Sequence, residues 1–153
     1  MLRPVDHSNC WEVSGVRDAQ KFFQAIAALV PEATHLFLEG SAADDVVALI
    51  QPFVEPAGYA APAGTIWSWP KEQSFTLRAS PELFARLSEA AAHHAEPEIC
   101  SHLHIYCGSE PLVTWFDAFI DPIQVSRTIA RERVEQFCRE VGGICRTVPD
   151  GRR

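Results

Sequence analysis

Apolar positions recur along this chain with two different periods, and the switches between them mark its elements. From Asp18 to Val30, the residues Phe22, Phe23, Ile26, Leu29 and Val30 fall on one helical stripe, which Pro31 closes. Thr34–Glu39 is a short strand-like run stopped by Gly40, after which Ser41 and Asp44 resemble a helix N-cap and its carboxylate partner. A second helix then runs to Phe53 or so, burying Val46, Val47, Leu49, Ile50 and Phe53. Glu55–Gly64 carries Pro56, Gly58, Pro62 and Gly64 and reads as the longest loop.

Thr65–Trp69 and Ser74–Arg78 flank Pro70–Gln73 in a strand-turn-strand pattern, the first hairpin. Ser80 and Pro81 form an N-cap and first helical position for a third helix, with Leu83, Phe84, Leu87 and Ala91 as its buried stripe before Pro97. Ile99–Cys107 and Leu112–Ile120 are β-rich runs joined by Gly108–Pro111, a second hairpin with a four-residue turn. Asp121 and Pro122 cap a long fourth helix with the stripe Val125, Ile129, Val134, Phe137, Cys138 and Val141. Gly142–Gly143 stops it, and Ile144–Val148 adds a last strand.

With a further strand ahead of the first helix, this order predicts an α+β fold: a mixed, largely antiparallel sheet with four helices mostly on one face. A length of 153 residues suits a single domain over 1–153, with short flexible ends at 1–8 and 149–153. The opening Met1–Asp6 lacks a signal-peptide run, and no stretch reaches the roughly 18 apolar residues of a membrane span. Cys10, Cys100, Cys107, Cys138 and Cys145 are an odd set without CxxC spacing, as expected of reduced thiols. The expectation is a cytoplasmic protein that engages no membrane.

A net charge of −7 argues against nucleic acid, whose phosphates require a basic face. The charge is uneven: from Phe22 through Pro70 there is no Lys or Arg, while Glu32, Glu39, Asp44, Asp45 and Glu55 fall in that span. Ordinary solubility accounts for such a balance, and an acidic half also suits a basic partner.

Candidate chemistry gathers on the second hairpin. Side chains alternate along a strand, so Cys100, His102, His104 and Tyr106 share a face, opposite Leu103, Ile105 and Cys107. A turn at Gly108–Pro111 pairs Cys107 with Leu112, His104 with Trp115 and His102 with Asp117. That register brings a thiol, two imidazoles and a carboxylate together with the rings of Trp115 and Phe119. His-x-His on a strand supplies two zinc ligands, with Cys100 or Asp117 completing the set, or Asp117 orienting the His102 ring. Trp67 and Trp69 project from one strand face and are candidate binding anchors.

His93 and His94 follow the third helix, where imidazoles complement the dipole. The strand-to-helix turn Leu38–Ser41 has the shape of a phosphate site, but Asp44 and Asp45 repel an anion there. GxSxG, P-loop, HExxH and dinucleotide motifs are absent.

The residues therefore point first to a small acidic binding protein of regulatory or toxin-neutralising type. It presents the aromatic-lined face of Tyr106, Trp115 and Phe119, with Trp67 and Trp69, to a protein partner or small ligand. The alternative is a metal-dependent, with zinc as the possible metal, or histidine-assisted, hydrolase-like enzyme using Cys100, His102, His104 and Asp117; otherwise no cofactor is expected. A third expectation is a structural homodimer formed through the same half-apolar face.

Overall fold

The computed structural model describes residues 2–40, 43–55 and 74–149. In chain order its elements are β1 (Cys10–Ser14), α1 (Ala19–Leu29), β2 (His35–Glu39), α2 (Asp44–Ile50), β3 (Ser74–Arg78), α3 (Pro81–Ala91), β4 (His102–Cys107), β5 (Glu110–Trp115), β6 (Ile123–Ser126), α4 (Arg131–Val141) and β7 (Ile144–Val148). Short 3-10 turns lie at Gln51–Phe53 and Glu96–Glu98. This is an α+β fold, and the described strands form one seven-stranded sheet in the order β3-β2-β4-β5-β6-β1-β7. All the described strand pairs are antiparallel rather than mixed.

Local chemistry sets the helix ends. Asp18 accepts from the Lys21 N–H at 3.1 Å at the head of α1, and Ser80 accepts from the Leu83 N–H at 3.1 Å at the head of α3. The αL residue Gly142, at φ 67°, ends α4. α2 is shorter than its stripe suggests: it opens behind Ala43 without a side-chain cap and gives way at Gln51 to the 3-10 turn containing Pro52. The predicted Ser41 cap, the strand Thr65–Trp69 and nearly all of the Glu55–Gly64 loop lie outside the described residues.

Two assignments change. The fourth helix begins at Arg131, and Ile123–Ser126, expected as its first turn, is strand β6 between β1 and β5. The period-2 alternation of buried Ile123 and Val125 with half-buried Gln124 and Ser126 outweighs the single helical spacing from Val125 to Ile129. The run Leu112–Ile120 stops being a strand at Trp115, because Asp117 and Phe119 adopt positive φ of 47° and 69° and turn the chain.

One cluster joins sheet and helices. Leu36, Leu38, Leu103, Ile105, Val113, Trp115, Ile123 and Val125 from the strands meet Phe22, Ile26, Leu83, Leu87, Val134 and Phe137 from α1, α3 and α4. Burying a side chain of this size contributes about 1.5–3 kcal/mol before entropy is counted. Phe22 is the hub: its ring packs on Phe23, Trp115, Phe119 and Phe137 at centroid distances of 4.9–6.0 Å.

The strand residues between these point the opposite way. Cross-strand partners carry Thr76, Phe37, His104, Thr114, Gln124, Glu12 and Arg146 in one row across all seven strands of the described sheet. At the end of β2, Gly40 sits at φ 120° with the Ser101 side chain and backbone where a Cβ would go. That close approach lets the Ser101 N–H donate to the Glu39 carbonyl at 2.7 Å.

Candidate functional site

The second hairpin decides where the candidate residues stand. Its turn is Gly108–Ser109, so Cys107 pairs with Glu110 and Tyr106 with Pro111. A register shift follows, after which Ile105 pairs with Val113, His104 with Thr114 and Leu103 with Trp115. The expected pairings of Cys107 with Leu112, His104 with Trp115 and His102 with Asp117 are each displaced. The reason is that Glu110 and Pro111 belong to the strand and the register shift takes up Leu112. A slip of one residue exchanges the faces of β5.

Trp115 therefore lies on the core face, fully buried at 0% exposure, with its Nε1–H donating to the Asp121 carbonyl at 2.7 Å. Phe119 packs against it at 4.6 Å and is also buried. Tyr106 is 1% exposed. None of these three rings is presented as a surface anchor, and Trp67 and Trp69 lie outside the described residues.

On the histidine face, Phe116 takes the place expected for Trp115. Its ring meets His104 at 4.8 Å and His102 at 5.8 Å, and His104 stacks on Phe37 with the planes 12° apart. Both histidines are buried, at 5% exposure for His102 and 2% for His104. Glu39, a residue the sequence gives no reason to single out, is the cross-strand neighbour of His102 and is also buried. Thr114, beside His104, accepts a hydrogen bond at 2.8 Å from the Val5 N–H.

The imidazoles are held through Nδ1. That atom of His102 accepts from the Asp117 N–H at 3.0 Å, and that of His104 accepts from the Trp115 N–H at 3.4 Å. An accepting Nδ1 leaves the proton of a neutral ring on Nε2. A zinc-binding histidine coordinates through one nitrogen and normally donates from the other, which is the reverse of this arrangement. Burial and the neighbouring His102 lower the His104 pKa to about 3. That ring is neutral at any ordinary pH.

The other members of the predicted set stand apart. Cys100 precedes β4 and belongs to the hydrophobic core cluster, where burial pushes its thiol up to about 12. Asp117 reaches His102 only through its backbone N–H, and the residue is exposed. Among the described residues no group of three or more His, Cys, Asp or Glu side chains has the arrangement of a metal site.

A second constellation forms between α2 and the end of α3. His94 Nε2 lies 2.7 Å from Asp45 Oδ2, and its Nδ1 lies 3.2 Å from Glu98 Oε2. The Asp45 and Glu98 carboxylates raise the His94 pKa, and the imidazole in turn lowers both of theirs. Beside this bridge opens a groove of about 590 Å³, lined by Leu49, Ala90 and Ala92 together with Asp45, Glu89 and His93. The sequence offered only fragments of it, an acidic pair at a helix start and a histidine pair at a helix end. The contact joins residues 49 positions apart.

Comparisons with protein-family models, curated proteins and solved structures find no match to this chain. Among the described residues no helix is long and apolar enough to cross a membrane.

Proposed function

We propose that this chain works by recognition rather than catalysis, as a small acidic protein that binds a protein partner or a small ligand. The observation that carries the reading is the open groove beside His94, where the apolar side chains of Leu49 and Ala90 adjoin the carboxylates of Asp45 and Glu89. Ligand sites combine an apolar lining with a few polar groups in this way. The histidine face supports recognition less well, because Tyr106, His102 and His104 are themselves buried. A reducing, cytoplasmic setting belongs to the same proposal, supported by five cysteines that are all free.

The test is a fragment screen followed by two-dimensional ¹⁵N NMR on the full chain. Binders are expected to shift the amides of Leu49, Ala90 and Ala92, and Ala92→Trp, which fills the groove from an exposed position, is expected to abolish them. Fragments that map only to β4 and β5 would move the site to the histidine face and sink the groove.

A second reading is histidine-assisted chemistry at His102, favoured by the buried carboxylate of Glu39 beside it. A hydrolytic activity lost in both His102→Gln and Glu39→Gln would establish it. Activity indifferent to both substitutions would end it.

A further inference from the structure

The groove beside α2 carries information about the charge of what it takes. Asp45, on its rim, already holds a cationic donor from its own chain: His94 approaches at 2.7 Å while its other nitrogen engages Glu98. An imidazole that serves two carboxylates with both nitrogens is the protonated ring. The rim adds the exposed carboxylate of Glu89, and Leu49 and Ala90 are its apolar lining. α2 itself comes from the span Phe22–Pro70, which contains no Lys or Arg.

We propose that this groove binds a cationic, partly apolar peptide segment of a partner protein, whose Lys or Arg replaces His94 on Asp45 while a neighbouring apolar side chain packs on Leu49 and Ala90. The proposal rests on the reading of the groove as the recognition surface and names the partner's chemistry. Charge complementarity supports it, since among the described residues the groove offers the carboxylates of Asp45 and Glu89, and the cation engaged there, His94, is an exchangeable side chain.

A pH dependence follows from the competition. The groups facing His94 are Asp45 from α2 and Glu98 from the 3-10 turn, and Glu89 and His93 of the α3 end line the same groove. While His94 is protonated it occupies Asp45 and adds positive charge. As pH rises through its elevated pKa the ring lets go, and affinity for a cationic segment increases.

Fluorescence anisotropy on the full chain, with a short labelled peptide alternating leucine and arginine, tests this against the same peptide carrying glutamate for arginine. The arginine peptide is expected to bind more tightly at about pH 8 than at about pH 6 by roughly threefold or more, and Asp45→Asn to weaken it by a similar factor. His94→Gln is expected to flatten the pH dependence, and His93→Gln to leave most of it. Equal binding of the glutamate peptide, lost in Ala92→Trp, overturns the cationic partner while the groove stands. Binding of neither peptide overturns the inference and counts against the groove reading as well.

Discussion

The Nδ1 atom of His102 accepts a 3.0 Å hydrogen bond from the main-chain N–H of Asp117, and the Asp117 carboxylate takes no part in it. Asp117 makes that bond from an αL conformation at φ 47°. The contact therefore depends on the path of the backbone, which glycine follows at least as well as aspartate. Asp117→Gly is expected to leave His102 in its Nε2-protonated form and to change stability by no more than about 1 kcal/mol. Long-range ¹H–¹⁵N correlation of the histidine rings checks it. A change of tautomer in the variant would reinstate the carboxylate as the orienting group.

His104 links the sheet to pH. Its folded-state pKa of about 3 lies far below the ordinary histidine value, so the unfolded chain takes up a proton that the folded chain refuses. Its contribution to stability is therefore complete above about pH 6.5 and is lost as pH falls toward 3, at up to about 1.4 kcal/mol per pH unit. His94 acts with the opposite sign: its raised pKa makes a contribution that is present at low pH and fades as pH rises through the folded value. It lies at the surface, where salt screens it. Urea unfolding in high salt should show a midpoint that declines between about pH 6.5 and pH 5, with a shallower decline in His104→Phe. An NMR titration midpoint for His104 near the ordinary value would disprove the burial argument.

Trp115 is a core residue, packed on Phe22 and Phe119 and hydrogen-bonded to Asp121. Trp115→Ala is expected to cost about 3–5 kcal/mol, read as a lower denaturant midpoint. An exposed anchor would leave stability nearly unchanged, so a loss under about 1 kcal/mol would contradict the register of the second hairpin.

The thiols divide by environment. Burial pushes Cys100 up to about 12, and Cys138 is pushed to about 12 by burial and by neighbouring Cys145. In native protein near pH 8, iodoacetamide followed by mass spectrometry is expected to leave Cys100 unmodified until denaturant is added. Rapid modification of Cys100 in the folded chain would reopen a nucleophilic role.

The parts of the fold legible in the sequence are those encoded locally. Asp18 and Ser80 announce their helices because an N-cap needs only a side-chain oxygen and the next few N–H groups. β7 follows from Gly142–Gly143 and a β-rich run. β6 is ambiguous in the sequence because Val125 fits a helical stripe as well as a strand, and only pairing with β1 and β5 resolves the ambiguity. The hairpin shows the same limit at finer scale. Pro111 favours a turn on local grounds, but it lies in β5 opposite Tyr106, and that difference of a single residue decides the face of Trp115. Strand alternation alone puts His102 and His104 on one side of β4, whereas Glu39 and the partners of His94 depend on long-range register and helix packing.

The strand order has a consequence for how the chain assembles. β2, β3, β4 and β5 are neighbours drawn from the middle of the sequence, but β1 is held between β6 and β7 near the far end. During synthesis, Trp11 and Val13 emerge long before Val125 and Cys145, the residues that will flank them. The central strands have partners early, whereas β1 waits with its backbone unpaired until Val125 and Cys145 have been made. Closing so long a loop is entropically slow, so among the described strands β1 is the one left open longest to wrong pairing in a nascent or partly unfolded chain.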